Sequence, residues 1–254
     1  MSKTMSSSEM KSHCHEAISD LSKLLEEFAS TGSGKMFKRA MLLSYWIKTY
    51  VQYIKNEDKF APQSVFRLKR GAIVRVEFGY RIGRELGGRH YAVVLDVDNP
   101  IRRNTVTVVP LGSIKEDSDK DWYSVVLDDG IYGPVRRKVD ALIDDANRTA
   151  DEAFAMNEEI EAASAADKPV MRAVQRQKID ATRNLIEQAS AWIKEIDHMK
   201  SGSVAKVDQI TTISKMRISQ PLQKTHPLYG VRLSDQDLDK IDQKLQELYF
   251  PKRA

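Results

Sequence analysis

The stretch from Arg70 to Val97, RGAIVRVEFGYRIGRELGGRHYAVVLDV, indicates the fold more clearly than any other part of the sequence. From Ala72 to Phe78 apolar residues alternate with Arg75 and Glu77, which is the period-2 pattern of a strand with two different faces. A glycine-rich charged loop follows, and the nearly all-apolar run from Tyr91 to Val97 is typical of a central strand. The stretch therefore predicts two strands of a small sheet, joined by a loop.

Further strands are predicted on both sides of a long segment without glycine. Their ranges are 105–111, 123–127 and 203–207, the last continuing through 208–213. Eight of the 12 glycines lie between Gly71 and Gly133, and none lies between residues 134 and 201. Glycine suits turns and is costly inside helices, so strands should occupy the first region and helices the second. Short strands at this spacing predict a small barrel.

Three helical regions complete the predicted α+β fold. Two N-terminal helices should span about 15–57, with a break at 30–34, after a frayed tail over 1–14. A C-terminal helix should begin after Ser234, which is a good N-cap. Between the strands, 138–200 predicts an inserted antiparallel helical hairpin, whose apolar residues recur at spacings of three and four. The first arm carries Val139, Ala146, Ala153 and Ile160, and the second carries Ile179, Ile186, Ala189, Ile193 and Ile196.

The two arms of the predicted hairpin carry opposite charges. Residues 140–161 contain eight acids and one base, whereas 168–183 contain five bases and one acid. This pattern favours pairing of the arms, and it leaves open whether the hairpin is a solvated insertion or a docking arm for a partner. The predicted organisation is an N-terminal helical extension over 1–64, a barrel domain formed by 65–137 with 201–250, and the inserted hairpin.

Composition excludes several classes of protein. The chain has 254 residues and a net charge of +4, and it contains no apolar run long enough for a membrane span. A single cysteine, Cys14, excludes an intrachain disulfide and a cysteine-based zinc site. The N-terminus carries no secretory signal, so we expect a cytoplasmic protein without a membrane partner. No metal and no cofactor is expected.

Five segments resemble, in family order, the PemK/MazF-like toxins of type II toxin-antitoxin systems. They are 70–78, 83–95, 108–111, 207–218 and 233–242. The resemblance implies an SH3-like barrel, a homodimer, and metal-independent, sequence-selective cleavage of single-stranded RNA. It also implies an antitoxin that covers the RNA groove, and binding of operator DNA through the antitoxin complex. The N-terminal helices and the hairpin are departures from the usual family member.

Cleavage of RNA through its 2′-hydroxyl needs a base, an acid and donors for the charge on phosphorus. Lys206 and Asp208 are predicted on one strand, where residues two apart face the same side. The resemblance implies Asp208 as the base and Lys206 as the acid or phosphate clamp. An ion pair at the edge of the barrel is the alternative.

Three further residues are candidates for catalysis. His90 stands where the family usually has an arginine, and an imidazole can act as acid or base near neutral pH, or it can be a non-catalytic, hydrogen-bonded residue. Arg89 is a candidate phosphate contact. The family often has a threonine or serine where this chain has Gly112, so Ser113 is the candidate hydroxyl group.

The region around the strands is basic, with nine Arg and Lys against four acids from 61 to 110. Such local basicity is typical of a phosphate-binding surface, although it also suits a solvated face. The RNA-binding candidates are Arg84, Lys115, Gln209, Tyr80 and Arg70, and the candidates for a structural role in the loop are Glu85, Gly87 and Gly88.

Three functions are therefore open. The first is an endoribonuclease toxin. The second is a non-catalytic nucleic-acid-binding or regulatory module on the same barrel, suggested by Gly112 and His90. The third is an interaction protein that works through its helices.

Overall fold

The computed structural model describes residues 5–114, 121–197 and 202–250 of the chain. These residues divide into two compact units. The first unit comprises the described residues up to Phe60 together with the loop Phe78–Gly88. The second comprises Ala61–Glu77 and the described residues from Arg89 onward. Within the described residues, no helix is both long enough and apolar enough to cross a membrane.

Two helices form most of the first unit, α1 (Ser7–Ser30) and α2 (Gly34–Asn56). The break between them falls where the sequence predicted it. Helix α1 begins earlier than the predicted frayed tail allows, because Ser6 and Glu9 form a capping box. The Ser6 Oγ accepts a hydrogen bond from the Glu9 N–H, and the Glu9 carboxylate accepts one from the Ser6 N–H.

Glycine allows the loop Phe78–Gly88 to pack closely against helix α2. The Gly88 N–H donates to the Gly79 carbonyl at 2.7 Å, and the Phe78 N–H donates to the Gly88 carbonyl at 2.8 Å. Gly79 has a φ of +75°, and a Cβ atom there would lie 2.5 Å from the ring of Trp46 on α2. Only glycine therefore permits this close approach of loop and helix.

The second unit is built on an antiparallel sheet. Its strands are β1 (Leu68–Lys69), β2 (Ile73–Glu77), β3 (Arg89–Val94), β4 (Asp98–Asn99), β5 (Thr105–Ser113), β6 (Ser124–Leu127), β7 (Ser203–Lys206), β8 (Thr211–Ser214) and β9 (Ile218–Gln220). The order of the main sheet is β6-β7-β5-β3-β2-β9, with β8 paired to β5, while β1 and β4 form a separate pair. In the described part of the chain these pairings do not close the sheet into a barrel.

One predicted strand is interrupted. The sequence predicted that the strand at Ser203 continues through Asp208 to Ile213, but a 3₁₀ turn at Val207–Gln209 separates β7 from β8. As a result β7 pairs with β6 and one end of β5, and β8 pairs with the other end of β5. Asp208 therefore lies in a turn rather than on a strand.

The long segment without glycine forms a hairpin of α3 (Tyr132–Ala162) and α4 (Lys168–Asp197). The antiparallel arrangement follows from its contacts, since Gln175 donates to the Ala153 carbonyl at 2.9 Å and Lys178 pairs with Glu152 at 2.5 Å. In α3 the predicted residues Val139, Ala146, Ala153 and Ile160 are buried.

The prediction that the apolar stripe of α4 is buried in the hairpin is wrong for three of its five residues. Ile179, Ile186 and Ile193 are 46%, 53% and 37% exposed, whereas Ala189 and Ile196 are buried. The side of α4 that meets α3 instead carries polar residues such as Gln175 and Lys178. Apolar spacing identified the helix correctly but not the side that faces its partner.

The base of the hairpin belongs to the core of the second unit. Val135 and Val139 of α3 and Trp192 and Ile196 of α4 pack in one cluster with residues of the sheet. Helix α3 also begins at Tyr132, before the predicted boundary at 138, because its first turns contribute to this core. Ala146, Ala153 and Ile160 are buried farther along α3 but are not part of this cluster, so the distal part of the hairpin lies outside the core.

Helix α5 (Asp235–Tyr249) ends the described chain. As predicted, the Ser234 Oγ accepts the Asp237 N–H, at 3.1 Å. The buried Asp237 carboxylate accepts hydrogen bonds from the N–H groups of Asp128 at 2.8 Å and Gly130 at 3.1 Å. These bonds hold α5 against the turn that leads into α3.

Candidate active site

The register of three strands places several candidate residues on one face of the sheet. Ala92 of β3 pairs with Pro110 of β5, and Gly112 of β5 pairs with Val204 of β7. Because alternate residues of a strand share a face, His90, Gly112 and Lys206 lie on the same side of the sheet. Two strand spacings, about 10 Å, separate β3 from β7. This face is the candidate active site.

The same alternation places two other candidates on the opposite face. Ser113 is the neighbour of Gly112, and Arg89 is the neighbour of His90, so both point away from Lys206. Arg89 pairs with Glu77 of β2 at 3.6 Å. The hydroxyl expected from Ser113 is therefore not next to Lys206 in this register.

Lys206 is held at the end of β7 by two residues near β6. Its Nζ donates to the Asp121 carboxylate at 3.0 Å and to the Ser124 Oγ at 3.1 Å. The hydrogen bond from Lys206 lowers the pKa of Asp121 below its ordinary value. Lys206 thus has a fixed position and forms an ion pair, and its partner is a residue that the sequence did not identify.

Asp208 follows in the 3₁₀ turn, close enough to Lys206 for the two charges to interact. The residue as a whole is exposed, but its carboxyl group is partly buried. Partial burial disfavours the charged form and raises the pKa of Asp208. A hydrogen bond from its own backbone, the charge of Lys206 and a hydrogen bond from Gln209 act in the opposite direction. The net result is a carboxylate that is a stronger base than an ordinary aspartate.

Helix α5 closes the other side of this turn. The Tyr249 hydroxyl donates to the Val207 carbonyl at 3.2 Å. Burial and, secondarily, the negative charge of Asp208 raise the pKa of Tyr249, which places its phenol near that carboxylate. The turn is thereby fixed between β7 and the end of α5.

Gly112 leaves space beside Lys206. A Cβ atom at Gly112 would lie 3.9 Å from the Lys206 Cε and 4.0 Å from the Val204 carbonyl, which are ordinary van der Waals distances. The position therefore accepts a side chain. The hydroxyl residue that is frequent in the family would fit next to the lysine.

Some of the basic residues predicted to bind RNA form hydrogen bonds and ion pairs within the protein instead. The Arg70 guanidinium donates to the Leu95 carbonyl at 2.7 Å and also binds Asp242 of α5. It therefore ties the start of the sheet to the last helix. Arg67, one of the nine bases of the basic region, pairs with Asp98. Lys115 lies outside the described residues.

The other predicted loop residues belong to the first unit. The Tyr80 hydroxyl accepts a hydrogen bond from Arg39 of α2 at 3.1 Å. Glu85 pairs with Arg81 of the same loop at 3.4 Å. A Cβ atom at Gly87 would lie 2.7 Å from the Gly79 carbonyl, and Gly88 has a φ of +86°, so the expected structural role of both glycines has a physical basis. Arg84 lies at the outer part of the same loop.

Three residues around Lys206 and Asp208 were not identified from the sequence, namely Asp121, Ser124 and Tyr249. Their contacts bridge long sequence separations, for which a single sequence offers no signal. No group of three or more His, Cys, Asp or Glu that could hold a metal occurs among the residues described.

A comparison of the chain with models of known protein families matches the family that the sequence motifs resemble. Residues 69–179 match the family described as PemK-like, MazF-like toxin of type II toxin-antitoxin system. The match covers 111 of the 254 residues, and it confirms the resemblance noted from the sequence. Lys206 and Asp208 lie beyond the matched residues. A search of the curated proteins finds no match.

Proposed function

We propose that the chain is the toxin component of a type II toxin-antitoxin system and acts as a metal-independent endoribonuclease on single-stranded RNA. The supporting observation is the proximity of Lys206 and Asp208, whose charges interact. Lys206 has an ammonium group held in place at the end of β7, and Asp208, in the turn that follows, has a carboxyl group whose pKa is raised. A cation for the phosphate and a base for a hydroxyl group are what this reaction requires.

In the proposed mechanism, Asp208 accepts the proton of the ribose 2′-hydroxyl as its oxygen attacks the neighbouring phosphorus. The bond from phosphorus to the 5′-oxygen breaks, and this oxygen takes a proton from an acid. The products are a 2′,3′-cyclic phosphate and a 5′-hydroxyl end. A raised pKa improves a carboxylate as a base, because the proton it takes is held more strongly.

Lys206 and His90 supply the remaining roles. An ammonium group has three N–H donors, and in the described part of the chain Asp121 and Ser124 accept two of them. The third can donate to a phosphate oxygen, where charge develops in the transition state. His90, across the same face, is the candidate acid for the leaving oxygen.

The wider assembly is part of the same proposal. The sheet corresponds to the SH3-like barrel of the family, and the chain forms a homodimer. An antitoxin covers the RNA-binding surface, and the toxin-antitoxin complex binds operator DNA. Gln209, next to Asp208 in the same turn, contributes to RNA binding.

The test uses end-labelled single-stranded RNA of randomised sequence, because the cleavage motif is unknown. The purified full-length chain in EDTA should cleave it, and Lys206→Met should cleave at least about 100-fold more slowly. Lys240→Met is the matched control, since Lys240 also forms a surface ion pair, with Asp128 at 2.6 Å. Equal rates for the two variants would contradict the role of Lys206.

A non-catalytic nucleic-acid-binding module remains the second candidate. It is favoured by the ion pair between Lys206 and Asp121 and by the lack of a hydroxyl group at Gly112. Binding of the same RNA without cleavage would support this alternative.

A further inference from the structure

The distal hairpin exposes an apolar stripe where a buried one was expected. Ile179, Ile186 and Ile193 recur every seven residues on α4, and they are 46%, 53% and 37% exposed. Seven-residue spacing of branched apolar residues is the pattern by which one helix packs on another. Helix α3 covers the stripe only in part, since contacts between α3 and α4 run through polar residues such as Gln175 and Lys178.

The stripe continues into a groove between the two helices. Ala150 and Phe154 of α3 and Ile179 and Thr182 of α4 line this groove, which is open to solvent. Phe154 is 79% exposed, although it is among the largest apolar side chains of the hairpin. The groove and the stripe together form one apolar face, which we call the groove face.

Charges of opposite sign border the two sides of the groove face. On α3, Asp151 and Glu158 lie three residues before and four residues after Phe154, so they are its neighbours on the helix surface. On α4, Arg176 and Arg183 lie at the same offsets from Ile179. All four charged residues are exposed. The groove face thus has an acidic side on α3 and a basic side on α4.

We propose that the groove face binds a second copy of this chain. A two-fold axis parallel to the hairpin places α3 of one copy against α4 of the other, so that each acidic side meets a basic side. The alternative axis, across the hairpin, would place acidic α3 against acidic α3 and is disfavoured by like charges. The first arrangement buries the isoleucine stripe of both copies in a four-helix bundle, and it satisfies the self-complementarity that a two-fold interface requires.

This interface lies on the hairpin and does not depend on the proposed ribonuclease activity. It also does not depend on contacts made by the sheet. If the sheet mediates a separate association, removal of the hairpin contact still halves the mass of the assembly.

The apolar part of the proposal is tested by sedimentation velocity of the full-length chain. Ile179→Gln with Ile186→Gln should weaken self-association at least about tenfold and halve the mass observed at micromolar concentration. Val170→Gln with Val174→Gln is the matched control, because both valines are exposed on α4 away from the groove face. A parent chain that does not self-associate, or a control that behaves like the groove variant, would overturn the proposal.

The charge part is tested by reversal. The pair Asp151→Lys with Glu158→Lys and the pair Arg176→Glu with Arg183→Glu should each abolish the hairpin association when present alone. A mixture of the two variant chains should associate, and a single chain with all four changes should recover the parent's association. Circular dichroism checks that the helices remain folded. Failure of both the mixture and the fourfold variant to associate would refute the arrangement of α3 against α4.

Discussion

Replacement of Asp208 by asparagine removes the proposed base without changing the shape of the turn that carries it. The two side chains have nearly the same volume, and the turn Val207–Gln209 is held by the Tyr249 bond to the Val207 carbonyl, which the change leaves intact. A general base contributes about 10²- to 10⁴-fold to a rate. We therefore expect cleavage to slow at least about 100-fold, which corresponds to about 2.7 kcal/mol of transition-state stabilisation.

The assay is single-turnover cleavage of labelled single-stranded RNA in EDTA, with enzyme in excess. Asp121→Asn is the matched control, since Asp121 is the other carboxylate that interacts with Lys206. It should lower the rate less than about tenfold, because it positions the lysine but takes no proton from the substrate. Equal rates for the parent and Asp208→Asn, or a larger loss with Asp121→Asn, would exclude Asp208 as the general base.

The pH dependence gives an independent check on the same residue. Burial raises the pKa of Asp208, so the cleavage rate should fall on acidification at a pH above 3.8, the ordinary value for the group. A carboxyl group whose pKa is higher in the folded state than in the unfolded state lowers the free energy of unfolding as the pH rises from the unfolded to the folded pKa. At neutral pH the penalty is fully present. Asp208→Asn should therefore abolish the acidic limb and leave the melting temperature unchanged or higher.

Four other outcomes are expected. Gly112→Ser adds a hydroxyl group beside Lys206 in space that is already present, so cleavage should stay equal or rise, whereas Gly112→Val should not raise it. His90→Arg should remove a near-neutral limb from the pH–rate profile between pH 5.5 and 9, and an unchanged limb would assign it to another group. Asp237→Asn should lower the free energy of unfolding in urea by about 3 kcal/mol, since its carboxylate accepts buried backbone N–H groups, while the exposed Asp235→Asn should have little effect. Replacement of 147–184 by a short Gly/Ser linker should leave a cooperatively folded chain by circular dichroism, whereas replacement of 140–199 should not, because it removes core residues of α4.

Local patterns in the sequence predicted the elements of the fold well. The break between α1 and α2, the strands β2, β3, β5, β6 and β7, and the Ser234 cap of α5 all follow from signals within a few residues. Such signals report backbone preference, which is a local property. The capping box at Ser6 is also local, and it explains why α1 begins within the segment expected to be frayed.

Properties that depend on distant contacts were not predictable in the same way. Period-2 alternation continued through Asp208, but the 3₁₀ turn there is set by the pairing of β7 and β8 with different ends of β5. The spacing of apolar residues identified α4 but not the side of the helix that faces α3. That side is decided by the packing of Trp192 and Ile196 in the core. The pairing of Lys206 with Asp121 joins residues 85 positions apart.

The sequence named candidate residues for the site, but not the residues that hold them in place. The resemblance drew attention to Lys206 and Asp208, and the structure brings their charges together. It also named both His90, as a possible acid or base, and its neighbour Arg89, as a possible phosphate contact, and the strand alternation places them on opposite faces. The choice between such neighbours requires the register of the sheet.

Cleavage through the 2′-hydroxyl group leaves a distinct chemistry at the product ends, which a single measurement can read. Single-stranded RNA should be cleaved by the purified chain in EDTA and the ends analysed by mass spectrometry. Attack by the 2′-hydroxyl should give 2′,3′-cyclic phosphate and 5′-hydroxyl ends, and no cleavage at a position where a single 2′-deoxynucleotide precedes the scissile bond. Products with 3′-hydroxyl and 5′-phosphate ends, or undiminished cleavage after the 2′-deoxynucleotide, would contradict it.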